Sequence, residues 1–160
     1  MPPEAASTNP RSAVRIAGHP IHPMLVPLPI GFLVGAFLTD IAYLKSGWAS
    51  YAHFSGWLIG AGIVTALIAA AVGFIDFLSE RRIRAIRKSW WHMFGNLAAV
   101  ALSVVNFIVH MRDGAAAVLP LGIWLSGIVA VLLLFNGWMG GELVFRGRVG
   151  VLEPEPEEGR

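Results

Sequence analysis

The sequence contains no cysteine, and only 14% of its 160 residues are charged. Without cysteine the chain supplies no disulfide, no thiolate ligand for a metal ion and no thiolate for an iron–sulfur cluster. Soluble domains carry about 25% charged residues, and in this chain the deficit is concentrated in four long apolar blocks. The two shortages together favour an integral membrane protein over a protein with a large soluble core.

The four apolar segments cover residues 24–44, 54–78, 90–109 and 115–139. Each is close to the roughly 20 residues that a helix needs to cross the hydrocarbon core of a bilayer. Because a backbone in lipid must satisfy its own hydrogen bonds, each segment is predicted to be a helix. Short connections pair the helices into antiparallel hairpins. The predicted fold class is therefore an all-α integral membrane protein, a four-helix transmembrane bundle.

The two ends of the chain differ from this apolar region. Residues 1–17 are rich in Pro, Ala, Ser and Thr and are predicted to form a flexible N-terminal segment. Residues 152–160 are acidic and contain two prolines, so they are predicted to form a disordered acidic tail. The membrane domain is accordingly predicted to span residues 18–151.

The basic residues are unevenly distributed between the two ends of the predicted helices. Of the twelve Lys and Arg residues, only Lys45 and Arg112 lie in the connections that join helix 1 to helix 2 and helix 3 to helix 4. Positive-inside logic then predicts that both termini are cytoplasmic, in a multi-pass membrane protein. The same distribution makes the lipid bilayer the expected partner of this basic chain, and not a nucleic acid.

Two histidines directly precede the first apolar segment, in the sequence Gly18-His19-Pro20-Ile21-His22-Pro23-Met24. A proline disfavours helix in the residue before it, so both histidines are predicted to lie in extended backbone. Pro27 and Pro29 predict that regular helix in the first segment begins late. This arrangement is expected to hold two imidazoles at one face of the membrane.

Five polar residues of the third segment are separated by four, seven, three and four positions. These spacings place all five on one face of a helix, which is expected to face the interior of the bundle. One interpretation is that Ser103 and Asn106 only join neighbouring helices by hydrogen bonds. Another is that the stripe is the polar track of a transporter. The stripe consists of His92, Asn96, Ser103, Asn106 and His110.

Several ionisable residues are predicted to share one depth near the cytoplasmic face. Carboxylate and imidazole ligands suit Zn, Fe, Mn or Cu(II), so a site for a transition-metal ion or a b-type haem is predicted there. A proton-active or small-ligand site and a structural hydrogen-bond network are the alternatives. The predicted ligands are His19, His22, Asp76, His92 and Glu142, with Asn96, Asn106 and Asn136 as supporting polar residues.

A second, smaller group is predicted on the outer side. It consists of Asp40, His53 and His110. His53 begins helix 2 and His110 ends helix 3, so the two imidazoles are placed to face each other, as a b-type haem requires. The alternative is that both histidines lie among lipid headgroups without a ligand.

The end of helix 4 contains a glycine pair followed by an acidic residue. Gly140 and Gly141 predict a sharp turn at positive φ. A short extended segment at residues 143–145 is then expected to return Glu142 toward the His-Pro stretch. Alternatively, Glu142 forms an ion pair with Arg146 or with the basic run at residues 81–88.

Several motifs together carry a resemblance to a known family. They are the His-Pro motif at 18–24, Val26-Pro27-Leu28-Pro29-Ile30-Gly31, Asp40, Gly73-Phe74-Ile75-Asp76, His92 with Asn96, Asn106, and Gly140-Gly141-Glu142-Leu143-Val144-Phe145. From Gly18 to Val151, the chain resembles the bacterial membrane-protein family catalogued as domain of unknown function 2231. His53 and His110 are not part of the family pattern, which weakens the outer haem hypothesis.

The resemblance implies a multi-pass protein of the bacterial cytoplasmic (inner) membrane, but it implies no activity. Some relatives continue into a Rieske-type iron–sulfur domain or neighbour cytochrome-like modules, which implies membrane electron transfer by analogy. This chain has only the acidic tail, so a redox partner is expected to be a separate protein.

Three functions therefore compete. The first is electron transfer through a metal or haem site. The second is a small transporter or proton-coupled subunit, which four helices allow only as a homo-oligomer. The third is a structural or assembly protein. An enzyme with its own turnover ranks last, because no nucleophile–base pair or phosphate-binding loop is present in the sequence.

Overall fold

The computed structural model describes residues 9–151, except for the side chains at positions 113, 114 and 117. Four of its helical spans are long and apolar enough to cross a membrane. The spans are Ile21–Ser46, Ala49–Ser79, Arg87–Arg112 and Leu121–Phe145. They confirm the predicted fold class, an all-α four-helix membrane bundle, whereas the orientation of the termini stays a prediction. The predicted acidic tail at 152–160 lies outside the described residues.

Two short strands precede the helices, β1 (Arg15–Ile16) and β2 (His19–Pro20), and are followed by α1 (Ile21–Leu25) and α2 (Pro27–Ser46). Next come α3 (Ala49–Ser79), α4 (Arg81–Ala85) and α5 (Arg87–Asp113). A 3₁₀ helix, Gly114–Val118, leads to α6 (Leu121–Phe145). We call the end of the bundle at residues 46–49 and 114–120 the hairpin end. The opposite end, at residues 9–20, 80–86 and 146–151, is the terminal end.

The backbone of the His-Pro stretch differs from the prediction at one of its two histidines. His19 lies in β2, which pairs antiparallel with β1, as expected for a residue before proline. His22 instead lies in the helix α1, so the prediction of extended backbone was wrong there. Pro23 falls in the first turn of α1, where backbone N–H groups lack intrahelical acceptors, so a proline costs little and helix is permitted.

The four long helices close into a ring in which each packs against two neighbours. Helix α2 packs against α3 and α6, and α5 packs against the same two helices. Halfway along the bundle the interior is apolar, and large apolar side chains such as Trp57, Val64 and Leu134 are exposed on the outside, where hydrocarbon replaces water. The buried apolar layer consists of Leu33, Ala36, Ile59, Ala99, Val129 and Leu133.

The fourth helix has later limits than the sequence predicted. It begins at Leu121, after the 3₁₀ helix and Pro120, and ends at Phe145 instead of near Met139. Gly140 and Gly141 are both helical, so the predicted turn and the extended segment at 143–145 were wrong. Gly140 instead provides space: a Cβ there would lie 3.0 Å from Cε1 of His92.

Candidate functional site

The carboxylate of Asp76 is engaged by the N-terminal segment. It accepts hydrogen bonds from Ser12 Oγ at 2.8 Å and from the backbone N–H groups of Ala13 at 2.7 Å and Val14 at 3.0 Å. Asp76 is buried at the terminal end of α3. These three hydrogen bonds attach residues 12–14 to the bundle and occupy three of the roughly four acceptor positions of the carboxylate.

Glu142 is likewise paired with cations. Its Oε2 lies 2.9 Å from Lys88 Nζ and 3.0 Å from an Arg146 guanidinium nitrogen. The structure thus supports the alternative in which Glu142 pairs with Arg146 and the basic run, and the pair with Lys88 joins α5 to α6.

His19 is exposed and bonded locally. Its Nδ1 lies 2.9 Å from the carbonyl oxygen of Ala17. With Asp76 and Glu142 engaged elsewhere, the five predicted ligands do not converge as a set. Across residues 9–151, no group of three or more His, Cys, Asp or Glu side chains is placed to hold a metal ion.

Two of the predicted ligands do meet, and both are held in the same way. His22 Nδ1 bonds the carbonyl oxygen of Ala69 at 2.8 Å, and His92 Nδ1 bonds that of Asn136 at 3.1 Å. A carbonyl only accepts hydrogen bonds, so each Nδ1 carries the proton and donates. In both cases a glycine follows four residues after the carbonyl, Gly73 on α3 and Gly140 on α6.

The two glycines make room for the imidazole rings. A Cβ on Gly73 would lie 2.7 Å from Cε1 of His22, and one on Gly140 would lie 3.0 Å from Cε1 of His92. Each ring therefore lies against bare helix backbone, with Nδ1 bonded to a helix carbonyl. The same construction occurs on two helix pairs, and in both rings Nε2 is the nitrogen that the carbonyl leaves unbonded.

The two rings are close and perpendicular to each other. Their centroids are 6.4 Å apart and their planes make an angle of 87°. His92 Nε2 lies 3.0 Å from Asn96 Nδ2 and accepts its hydrogen bond, because Nδ1 already carries the proton of the neutral ring. No described residue hydrogen-bonds Nε2 of His22.

Asn136 completes the polar surroundings of this pair. It is buried, and its Nδ2 has no hydrogen-bond partner among the described groups. Its amide packs against Gly95 so closely that any Cβ at position 95 would clash with it. The sequence identified His22, His92, Asn96 and Asn136. The carbonyl of Ala69 was not foreseen, because backbone acceptors leave no mark on a sequence.

A second polar cluster lies at the hairpin end, where α2, α5 and α6 meet. Asp40 Oδ1 lies 3.3 Å from His110 Nε2, and Asp40 Oδ2 accepts a hydrogen bond from Ser126 Oγ at 2.5 Å. Ser126 in turn accepts one from Asn106 Nδ2 at 2.8 Å. All four residues are buried, and Asp40 is 0% exposed. Asn106 therefore joins helices, as one interpretation of the sequence held, but it lies with His110 at the hairpin end and not beside the predicted ligands that it was expected to support. Ser126 was not foreseen.

His53 lies apart from this cluster. It is exposed, and its Nε2 accepts a hydrogen bond from Trp57 Nε1 at 3.1 Å. It shares with His110 the lining of an open cavity of about 200 Å³. A haem between the two would have to displace the buried Asp40 carboxylate from Nε2 of His110, because Nδ1 of that ring is bonded to the Asn106 carbonyl at 2.9 Å.

The polar stripe of α5 is interrupted. Ser103 Oγ donates to the carbonyl of Ala99 on its own helix at 2.8 Å, and Ala99 belongs to the apolar layer. The stripe thus divides into a terminal-end part around His92 and a hairpin-end part around His110.

Comparison with known proteins identifies one match. A family model described as "Predicted membrane protein (DUF2231)" matches residues 18–153. No curated protein and no solved structure matches the chain.

Proposed function

The chain belongs to the DUF2231 family of predicted membrane proteins, and we propose that it binds a redox-active metal centre through His22 and His92. The centre we propose is the iron of a b-type haem, held near the terminal end of the bundle. Its function would be one-electron transfer in the membrane with a separate redox partner protein.

The observation that carries the proposal is the matched construction around the two histidines. In metal-binding histidines, one ring nitrogen is typically bonded to a carbonyl or carboxylate, which fixes the tautomer and orients the other nitrogen as the ligand. His22 and His92 both have that bond, through Nδ1 to Ala69 and Asn136. Both rings therefore have the tautomer in which Nε2 is the nitrogen left for a metal ligand.

The spacing of the rings supports a single shared metal ion. Imidazoles on opposite sides of one ion, with metal–nitrogen bonds of about 2.0–2.1 Å, have centroids about 6 Å apart. The observed centroid distance is 6.4 Å. Binding at His92 Nε2 would replace the hydrogen bond from Asn96.

The number of ligands favours haem over a bare ion. Zinc sites in proteins use three or four protein ligands, whereas the described residues offer two histidines and no third ionisable ligand. A b-type haem would need only two histidines from the protein, which His22 and His92 would provide. Held by them, it would supply one-electron transfer.

The competing transporter hypothesis has less support from the same contacts. A transport path along α5 would have to cross the apolar layer at Ala99, which is 1% exposed and surrounded by Leu33, Ile59 and other buried apolar residues. Each half of the stripe is engaged in its own local bonds.

The chain offers matched histidine variants for the test. The protein is produced with a haem supply, purified in detergent without chelator, and examined by visible absorption in oxidised and dithionite-reduced forms, together with metal analysis. We expect a Soret band that shifts on reduction, and its loss in His22→Ala and His92→Ala. The exposed residues His19 and His53 provide the controls: His19→Ala and His53→Ala should keep the band.

Other outcomes separate the alternatives. Stoichiometric metal without a haem band would identify a bare ion at the same histidines. A purified, helical protein with neither a Soret band nor stoichiometric metal would overturn the proposal. To separate ligation from folding, His92→Gly is supplied with free imidazole. Recovery of the spectrum would show that the lost group was a ligand, while a folded variant that imidazole cannot restore would contradict that role.

A further inference from the structure

The hairpin end contains a buried polar cluster that takes no part in the proposed haem site. We propose that Asp40 and His110 form a proton-exchange site that takes up and releases one proton from the aqueous phase at that end. The proposal is independent of the metal centre, because α5 separates His110 from His92 by 18 residues, about 27 Å along a helix.

A closed ring of hydrogen bonds surrounds the pair. Asn106 Nδ2 donates to Ser126 Oγ, and Ser126 donates to Asp40 Oδ2. On the other side His110 Nδ1 bonds the Asn106 carbonyl. Because that carbonyl only accepts, Nδ1 of His110 always carries a proton, and the direction of every bond but one is determined.

The remaining contact is where a proton can move. Asp40 Oδ1 and His110 Nε2 are 3.3 Å apart, and one proton between them makes the pair neutral overall, whether it sits on the oxygen or on the nitrogen. When that proton leaves to water, Asp40 is a carboxylate, His110 keeps only its Nδ1 proton, and the pair carries one negative charge. Ser126 continues to donate to Oδ2 in both states.

Burying two ionisable side chains in the bundle costs free energy. An ionisable residue in the membrane interior costs about 2.5–3.5 kcal/mol on insertion scales, and such residues mark proton relays and ion pathways. The pair is almost completely inaccessible, with side-chain exposures of 0% for Asp40 and 1% for His110. If joining helices were the whole role, uncharged residues such as Ser126 and Asn106 would be sufficient.

A route to the aqueous phase begins directly at His110. The cavity of about 200 Å³ at the hairpin end is lined by this residue and by His53, Met111 and alanines of α3 and the 3₁₀ helix. From α3, His53 is the titratable group on the cavity. From α6 and α5, the pair meets the uncharged Ser126 and Asn106.

Asn106 provides a second indication of exchange. Its Oδ1 is buried and has no hydrogen-bond donor among the described groups, although the rest of the residue takes part in the ring. A buried acceptor without a donor is costly. Next to the proton-sharing pair, it can accept a hydrogen bond from a water that carries the proton between cavity and pair.

The experiment is infrared spectroscopy of the whole protein in liposomes. Difference spectra between acidic and alkaline buffer report protonated carboxyl and imidazole bands. The other Asp and Glu side chains contribute bands in every variant. We expect in addition a band from a buried protonated carboxyl in the unaltered protein, and the loss of that band in Asp40→Asn. Asp76→Asn is the matched control, because Asp76 is also buried but is held by backbone N–H groups. Its spectrum should keep that band.

The result that would overturn the proposal is a spectrum of Asp40→Asn that superimposes on that of the unaltered protein. If Asp40→Asn does not fold, Ala115→Leu takes its place, because Ala115 lines the cavity and makes no bond to the pair. Ala115→Leu should slow proton–deuterium exchange at the Asp40–His110 pair several-fold and leave the infrared bands of the pair unchanged. Unaltered exchange in Ala115→Leu would contradict the route. All these variants keep His22 and His92, so loss of haem would not be confused with loss of the proton site.

Discussion

At the scale of single residues, two glycines leave the space that the rings of both proposed haem ligands occupy. Gly73 and Gly140 lie where the rings of His22 and His92 touch helix backbone. Neither glycine has positive φ, since both are inside helices. Both glycines therefore make room for the imidazole rings. For Gly140, the sequence alone had predicted a turn instead. Only knowledge of which histidine packs there distinguishes the two roles.

We expect Gly73→Ala to weaken the proposed haem site. The new Cβ would lie 2.7 Å from Cε1 of His22, so the ring must leave its position and its bond to the Ala69 carbonyl. Overpacking of this kind typically costs about 1–3 kcal/mol. The free energy of unfolding in mixed micelles and the haem content of the purified protein measure the two effects.

Gly31→Ala is the control for this substitution. Gly31 is helical and exposed, and a Cβ there would meet no other atom within 4 Å. Replacing a helical glycine by alanine in open space stabilises by about 0.5–1 kcal/mol. Equal effects of Gly31→Ala and Gly73→Ala would contradict the assigned role of Gly73.

The sequence predicted the depth of the site residues in the membrane but not the partners of their side chains. His22 and His92 were identified because imidazoles are rare and the helix positions placed them at one depth. Asp76 and Glu142 were grouped with them for the same reason, yet their partners are Ser12 and Lys88. Depth along a helix follows from residue number, but the direction of a side chain depends on neighbours that are distant in the chain.

At the scale of the elements, Asp76 joins the N-terminal segment to the membrane helices. Residues 12–14 bond its carboxylate, and the segment continues through β1 and β2 into α1, which carries His22. Asn9 also donates to the carbonyl of Val151 at 3.1 Å. The segment before the first span is thus attached to the end of α3 and to the chain beyond α6.

We expect Asp76→Ala to release this segment while the bundle stays intact. Backbone N–H groups of Ala13 and Val14 would lose their acceptor and exchange faster with deuterium, because exchange requires an unbonded amide. Hydrogen-exchange mass spectrometry of peptides covering residues 12–25 measures the effect. Glu142→Gln removes a carboxylate from the same end without touching the segment, so it should leave those amides protected. Unchanged protection in Asp76→Ala would show that other contacts hold the segment.

The limits of the helices were predictable to different degrees. The number of spans follows from the lengths of the apolar segments, because the bilayer thickness sets how many residues are needed. The ends do not follow, since α6 continues six residues past Met139 and the basic run contains the short helix α4. These ends depend on contacts such as Lys88 with Glu142 and not on local composition.

At the scale of the whole molecule, two polar sites lie on either side of an apolar layer. His92 and His110 are 18 residues apart on α5, about 27 Å, which is close to the roughly 30 Å thickness of the hydrocarbon core. The proposed electron site and the proposed proton site therefore lie near opposite faces of the membrane. The sequence already assigned His92 and His110 to opposite faces, but it gave no sign of the apolar layer between them, because that layer is built from all four helices.

The absence of cysteine allows a direct test of which face is which. Basic residues flank the terminal end, so positive-inside logic predicts that end, and hence the His22–His92 site, on the cytoplasmic side. Single cysteines are introduced at exposed positions, Lys45→Cys at the hairpin end and Arg87→Cys at the terminal end. In intact bacterial cells, a membrane-impermeant maleimide should label the first variant and not the second, and inside-out vesicles should reverse the pattern. Labelling of Arg87→Cys in intact cells would invert the assignment and place the proton-exchange site on the cytoplasmic side.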